Sequence, residues 1–243
     1  MKEYDYHNKL IFEGECINGE RWNGKVKEYN YNGILLFEGE YLYGHKIKGK
    51  EYNYNDKLIY EGEYLYDRKW NGKGYDLNGN ILYELKNGNG IIIEYNRYDI
   101  LIFEGEYLNG NRNGKGKEYD ALKNLEFEGI YTNGKRTGQG KEYYYNNKLK
   151  FEGEYFKGER IKGKKYNIYG QLEYEGEYLN GKRNGKGKDY YEDGKLNFEG
   201  EYYDGKKWKG ERYFYRDNNI LYSVEYLKGE MMNERKYINN SAD

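Results

Sequence analysis

Residues 101–119 read LIFEGEYLNGNRNGKGKEY, and this stretch decides the fold. Its first half places apolar residues such as Phe103 and Tyr107 at every second position, with glutamates between them. This alternation is typical of a β-strand with one buried face. The Asn-Gly pair at 109–110 supplies the positive φ angles of a tight hairpin turn, and a second strand rich in glycine and lysine follows. The stretch therefore predicts one β-hairpin.

The same pattern recurs from one end of the chain to the other. Its ten centres, each with an aromatic residue two positions earlier, are Gly14, Gly39, Gly62, Leu85, Gly105, Gly129, Gly153, Gly176, Gly200 and Val224. One hairpin of this size cannot bury its own apolar face, so neighbouring copies must stack. We therefore predict an all-β fold, a single elongated, twisted antiparallel sheet of about ten stacked β-hairpins that forms one array over residues 1–243.

The fourth copy, residues 81–95, departs from the others. Its loop shrinks to residues 87–90, and Ile91, Ile92 and Ile93 follow directly. Three consecutive isoleucines put apolar side chains on both faces of a strand, because side chains alternate between the two faces. One interpretation is a bend of the array at this copy. A partner site and a local repair of packing are the alternatives, and the repair is favoured.

The composition excludes several classes of protein. The 243 residues include 41 Lys and Arg against 42 Asp and Glu, so the net charge of −1 gives no field that would attract nucleic acid. With 35 tyrosines the chain is too aromatic for ordinary disorder. No apolar run approaches the ~20 residues of a membrane span, and the single Cys16 suits a reducing compartment. We expect a cytoplasmic protein.

The central glycines have a predicted role in packing. A glycine inside a strand leaves flat backbone, on which an aromatic ring of a neighbouring strand can lie. Rings recur two residues on either side of each glycine, so we expect rings and bare backbone to alternate across the sheet. Tyrosine gives large, rigid contacts, and the tyrosine-rich face is the expected contact surface.

The repeat resembles the MORN (membrane occupation and recognition nexus) repeat. Its unit reads aromatic-x-Gly-x-aromatic, Asn-Gly, a basic loop and Gly-x-Gly. One copy carries it at Gly105, Tyr107, Asn109, Gly110, Gly114 and Gly116, and another carries it at Gly176, Tyr178, Asn180, Gly181, Gly185 and Gly187. MORN arrays occur in junctional membrane proteins, in cytoskeletal and ciliary scaffolds, and as extensions of lipid kinases and methyltransferases. The resemblance implies a rod-like adaptor, peripheral to a membrane or to the cytoskeleton. Leu85 and Val224 depart from the pattern.

Six hairpin loops are one residue longer than the others. The residue eight positions after the centre in these loops is Trp22, Ile47, Trp70, Ile161, Trp208 or Met232. One interpretation is an apolar ridge that binds a partner protein. The other, which is favoured, is that each side chain folds back over its own hairpin, since solitary apolar residues are ordinary on surfaces.

Basic residues follow the hairpin turns, where they would line one edge of the sheet. The candidates for binding anionic lipid are Arg112, Lys135, Arg136, Arg160, Lys182, Arg183, Lys206 and Lys207. Each charge near an anionic membrane contributes about 1 kcal/mol. A solvated edge that keeps the protein soluble is the favoured alternative, because adjacent glutamates such as Glu159 dilute the positive charge.

Catalysis has little support in the sequence. His7 and His45 lack a second ligand at metal-binding spacing, and no Gly-Lys-Ser/Thr phosphate loop occurs. We expect no catalytic residue, no cofactor, no metal and no small-molecule substrate. The strands expected at the two ends, near residues 2–6 and 235–237, could pair with a second copy of the chain.

The sequence therefore favours a non-enzymatic scaffold that binds other proteins through an extended repeat surface. Two alternatives stay open. One is a peripheral adaptor that binds anionic phospholipid, such as phosphoinositide, through the basic loops. The other is a targeting module of a larger enzyme complex.

Overall fold

The computed structural model describes residues 1–216 and 219–237, and its regular structure in these residues is entirely β. The strands are β1 (Lys2–Tyr4), β2 (Leu10–Ile17), β3 (Glu20–Tyr29), β4 (Leu35–Leu42), β5 (His45–Tyr52), β6 (Leu58–Leu65), β7 (Arg68–Tyr75), β8 (Ile81–Leu85), β9 (Gly90–Tyr95), β10 (Leu101–Leu108), β11 (Asn111–Tyr119), β12 (Leu125–Thr132), β13 (Lys135–Tyr143), β14 (Leu149–Phe156), β15 (Glu159–Tyr166), β16 (Leu172–Leu179), β17 (Lys182–Tyr190), β18 (Leu196–Tyr203), β19 (Lys206–Arg216), β20 (Asn219–Leu227) and β21 (Glu230–Tyr237). Among the described residues, no helix is long and apolar enough to span a membrane.

The strands pair in chain order, so the predicted all-β array of antiparallel hairpins is confirmed. The array consists of two sheets rather than one, with 8 strands (β1 to β8) and 13 strands (β9 to β21). The break falls inside the shortened fourth hairpin, where a single bridge joins Lys86 to Asn89. Leu85 replaces the central glycine there, and both Leu85 and Ile92 are buried in one apolar cluster. The two strands of this hairpin therefore lack the regular ladder of backbone hydrogen bonds that joins the strands of the other hairpins. The side chains of Leu85 and Ile92 pack in the same apolar cluster instead.

The chain folds as two compact units. Unit 1 comprises residues 1–124 and 131–134, and unit 2 comprises residues 125–130 and 135–243. The described outer strands of the two sheets are β1 and β8 in the first, and β9 and β21 in the second. Pairing of the end strands with a second copy stays a prediction.

Asparagine and aspartate side chains form the turns between hairpins. Asp76 Oδ1 accepts hydrogen bonds from the backbone N–H groups of Asn78 and Asn80, at 2.9 and 2.8 Å. Side chains that bond the backbone two residues ahead replace ladder hydrogen bonds and stabilise turns. Within hairpins, the Asn-Gly turns adopt the predicted positive φ angles, 52° at Asn109 and 74° at Gly110.

In most hairpins the aromatic ring two residues before the centre lies on glycine backbone, as predicted. Phe103 is fully buried, and a Cβ added to Gly116 would come within 2.6 Å of its ring. The same holds in unit 2, where a Cβ added to Gly187 would lie 2.3 Å from Tyr174 Oη. We name the sheet surface that carries these rings the ring face. Its rings form the core of both units.

Candidate interaction surfaces

Strand pairing corrects the interpretation of the loop lengths. Gly14 pairs with Gly24, which leaves Trp22 as the extra residue of a β-bulge. Gly105 pairs with Gly116, eleven residues later rather than ten. Counted between its paired glycines, the loop of the Trp22 hairpin is therefore one residue shorter than the loop of the Arg112 hairpin. The sequence pattern had indicated a loop one residue longer. Ile47, Trp70, Ile161 and Trp208 occupy the same bulge position. Met232 does not, because its hairpin pairs Val224 with Arg235.

The bulged tryptophans contact the turn of the next hairpin. The Trp22 ring lies 5.5 Å from the Tyr43 ring, and its carbonyl accepts the N–H of Gly44 at 2.9 Å. The carbonyl of Trp70 accepts the N–H of Gly88 at 2.8 Å, and a Cβ added to Gly88 would come within 2.8 Å of the Trp70 ring. Trp22, Ile47 and Trp70 are half-buried, whereas Ile161, Trp208 and Met232 are 39%, 38% and 43% exposed. The tryptophans therefore join successive hairpins.

A cluster of one cation, one acid and two rings recurs on the ring face. The Arg160 guanidinium lies 4.4 Å from the centre of the Phe151 ring, within the range of cation–π attraction. Arg160 pairs with Glu142, whose Oε1 also accepts a hydrogen bond from Tyr155 Oη at 2.6 Å. In every such pair the acid precedes its cation by 18 residues. The other pairs of this kind are Glu3–Arg21, Glu28–Lys46, Glu51–Lys69, Glu94–Arg112 and Asp189–Lys207.

The cluster of Arg160 shifts the pKa values of its acid and its tyrosine. Burial alone would raise the pKa of the Glu142 carboxyl, but hydrogen bonds from Arg160 and Tyr155 outweigh burial and lower this pKa. Burial and the adjacent carboxylate raise the pKa of the Tyr155 hydroxyl. Burial is also the chief cause that raises the pKa of Tyr178 to about 12. The cluster of Arg160 therefore holds Glu142 charged and Tyr155 neutral at neutral pH.

The predicted row of basic side chains divides into two sets. Five of its members lie over rings of the ring face, at centroid distances of 4.1 to 5.1 Å, and these are Arg112, Arg136, Arg160, Arg183 and Lys207. Lys135, Lys182 and Lys206 are exposed at the turns. Lys182 pairs with Asp204 of the next hairpin. The loop edge therefore presents fewer unpaired charges than the sequence indicates.

The ring face is not an open tyrosine surface. Tyr64, Tyr155 and Tyr202 lie two residues after their centres, and they are 6%, 2% and 3% exposed. Each of them packs edge-on against neighbouring rings, as Tyr155 does against Phe127 and Phe151. These three tyrosines therefore belong to the core, and a contact surface formed by the tyrosine-rich face stays a prediction.

The opposite surface of each sheet carries an open channel, and we name this surface the channel face. In unit 2 the channel has a volume of about 570 Å³, and its floor is the backbone of Gly163, Gly176, Gly187, Gly200 and Gly210 on five adjacent strands. The channel of unit 1, with a volume of about 380 Å³, includes Gly39, Gly49 and Gly62 in its floor. Sequence reasoning missed both channels.

Ion pairs order the walls of these channels. The ladder places lysine opposite glutamate on successive strands, and Lys188 Nζ lies 3.0 Å from Glu199 Oε1. Glu175 also accepts a hydrogen bond from Tyr190 Oη at 2.6 Å. Because the charged side chains pair along each wall, they leave the floor between the walls uncovered. Five lysines and three glutamates line the channel of unit 2, so its lining is positive overall.

Unit 1 contains a further cavity, beside the turn that follows the fourth hairpin. The backbone N–H of Tyr54, in the turn before β6, donates to the carbonyl of Arg97 at 3.0 Å. Asn53 bonds to Asp99, and Asn55 Nδ2 donates to Asp99 Oδ2 at 2.7 Å. A cavity of about 470 Å³, which we name the elbow cavity, lies between the first sheet and residues 95–98. Nothing in the local sequence pattern indicates this contact between two distant turns.

No group of three or more His, Cys, Asp or Glu residues in the described part of the chain could hold a metal ion. No family model matches the chain, and no curated protein matches it. Among solved structures, the crystal structure of TcdB2-TccC3 is 14% identical with a TM-score of 0.20, and the match covers 100% of this chain. The crystal structure of TcdB2-TccC3-TEV is 14% identical with a TM-score of 0.22 over 93% of this chain. This chain spans only 15% and 12% of those chains.

Proposed function

We propose that this protein is a non-enzymatic cytoplasmic scaffold of the MORN-repeat type, and that it binds protein partners through its channel face. The observation that carries the proposal is the glycine-floored channel, which occurs in both units at the same positions of the repeat. The regular repeat of hairpin, ring and glycine supports the MORN assignment. The single cysteine, Cys16, is free, which suits the reducing environment of the cytoplasm and supports that location.

The channel of unit 2 is the preferred binding site. Its glycine floor gives a partner access to bare backbone, and its walls are held in place by ion pairs and tyrosine hydrogen bonds. A surface that is ordered before binding loses less conformational entropy on association. The lysine excess of its lining favours a partner segment of acidic character.

A photocrosslinking residue tests this proposal directly. Lys186 of the channel wall and Lys135 of the loop edge are both exposed lysines of unit 2. We expect p-benzoylphenylalanine at position 186 to crosslink to a partner protein in cells of the source organism, and the same residue at position 135 to crosslink at least tenfold less. A Lys188→Glu change in the position-186 protein should reduce the crosslink, because it reverses a charge in the wall.

Crosslinks that form from position 135 and not from position 186 would overturn the channel proposal. They would move the partner site to the loop edge. The circular dichroism spectrum of each variant, compared with that of the unmodified protein, verifies that the sheets remain intact.

Liposome flotation distinguishes the scaffold from the lipid-binding adaptor. We expect weak binding to phosphoinositide-containing vesicles at about 0.15 M salt, because most of the candidate cations lie over rings and pair with acids. The double change Lys135→Glu and Lys206→Glu, at exposed positions, should alter this binding little. Strong, salt-sensitive flotation that this double change abolishes would favour the membrane adaptor instead.

A further inference from the structure

The elbow cavity of unit 1 has the dimensions and the lining of a small-molecule site. Its volume of about 470 Å³ lies within the range of ligand pockets, which is roughly 300–1,000 Å³. Leu36, Phe37 and Ile59 supply an apolar wall from the first sheet. Tyr95 and Tyr98, which are 39% and 68% exposed, supply aromatic surface on the other side.

Two of the three cations in the lining are neutralised within the protein. Lys46 Nζ lies 3.1 Å from Glu28 Oε2, and Lys69 Nζ lies 2.9 Å from Glu51 Oε2. Burial acts against both charges of the second pair. Their mutual attraction nevertheless outweighs burial, so that the pKa of Lys69 is raised and the pKa of Glu51 is lowered. The pair of Lys69 and Glu51 therefore stays ionised at neutral pH.

Arg97 is the third cation of the lining. Its backbone is held by the hydrogen bond from Tyr54, and its side chain is exposed. No ion pair of the described residues involves Arg97, although many other cations of the chain have a carboxylate partner. The cavity thus combines apolar and aromatic walls with one uncompensated positive charge at their border.

We propose that the elbow cavity binds a small organic acid with an alkyl or aromatic body, whose anionic group pairs with Arg97. The apolar body contacts Leu36 and Ile59, and the tyrosines cover it. A guanidinium binds a carboxylate or sulfonate through two parallel hydrogen bonds, which fixes the orientation of the acid. This site is independent of the channels and of the proposed scaffold function.

Two fluorescent probes with the same ring system test the proposal. 1-Anilinonaphthalene-8-sulfonate carries a negative charge, and N-phenyl-1-naphthylamine is its neutral counterpart. We expect the sulfonate to bind the folded chain at one site, about tenfold more tightly than the neutral probe, since one charge-assisted contact has that effect. Arg97→Gln should weaken sulfonate binding about tenfold and leave binding of the neutral probe unchanged.

Arg68→Gln is the matched control, because Arg68 is an exposed arginine of the same unit outside the cavity. Both variants should melt at the temperature of the unmodified protein. Equal sulfonate affinity in Arg97→Gln and the unmodified protein would overturn the proposal, as would equal affinity for the two probes. Competition by octanoate or by 3-phenylpropionate identifies an alkyl or an aromatic body. Failure of both acids to displace the sulfonate would also overturn the proposal.

Discussion

Raising the pH above about 10 is expected to unfold the protein cooperatively. Buried tyrosines of the ring face and half-buried tyrosines of the channel face donate hydrogen bonds to carboxylates, as Tyr155 does to Glu142 and Tyr190 to Glu175. Burial is the chief cause that raises the pKa of these hydroxyls, and the adjacent carboxylate adds to it. Ionisation would place a phenolate beside a carboxylate in a poorly hydrated site, which is unfavourable.

The direction of the pH dependence follows from linkage. A tyrosine whose pKa is higher in the folded state than in the unfolded state stabilises the fold fully below the unfolded pKa of about 10. That stability is lost as the pH rises through the folded pKa, which is raised to about 12 for Tyr166. Because such tyrosines recur through both units, their losses add, and unfolding should release several protons at once.

Absorbance at 295 nm and circular dichroism measure this transition together. We expect phenolate absorbance to rise in the same narrow pH interval in which the β-sheet signal disappears. Tyr166→Phe should make the pH dependence shallower, since it removes one titrating group that donates to Glu152 at 2.8 Å. Gradual ionisation near pH 10 with an unchanged sheet signal would contradict the account.

The second large effect is expected from Gly116→Ala. The added Cβ would lie 2.6 Å from two atoms of the Phe103 ring and 3.1 Å from the Tyr131 ring. Overpacking of a fixed core costs about 1–3 kcal/mol, and a buried ring with neighbours on all sides places this change at the upper end. We expect the free energy of unfolding, measured in urea, to fall by about 3 kcal/mol.

Gly134→Ala is the matched control for this substitution. Gly134 lies in a turn of the same unit with φ of 79°, and a Cβ there would meet no atom within 4 Å. Its expected cost, about 1–2 kcal/mol, comes from the left-handed backbone alone. Equal losses for the two variants would show that the ring is not the cause.

Much of the fold follows from local pattern. Alternation around Phe103 and Tyr107 predicts a strand, and the recurrence of rings around Gly105 predicts that rings lie on glycine. The bulges were not predictable from spacing. The loop of Trp22 and the loop of Arg112 each contain an Asn-Gly pair after the basic residue. Only strand pairing shows that Gly24 is equivalent to Gly116 rather than to Gly114.

The surfaces were harder to predict than the strands. A basic residue after a turn suggests an exposed edge, but Arg160 lies over Phe151 because Glu142, 18 residues earlier, meets it on the same face. The ion pair between Arg160 and Glu142 depends on the register of the strands. The elbow cavity depends on a contact between residues 53–55 and 97–99, which the repeat itself does not contain. The sequence therefore contained no indication of a cavity at this place.

The two faces of the sheet thus differ in how accessible they are to a partner. Rings, glycines and ion-paired cations close the ring face, as Phe103, Gly116 and Arg112 do in the fifth hairpin. The channel face stays open, because its charges pair along the walls. The central claim of the account is that rings packed on glycine hold the array together and leave the channel face free for partners.

A double-mutant cycle between Gly116 and Phe103 tests this claim most directly. Phe103→Leu shortens the side chain that a Cβ at position 116 would meet. The account predicts that Gly116→Ala, measured by urea unfolding, costs about 3 kcal/mol with Phe103 present and less than about 1 kcal/mol with Leu at that position. An equal cost in the two backgrounds would contradict the claim that the ring rests on this glycine.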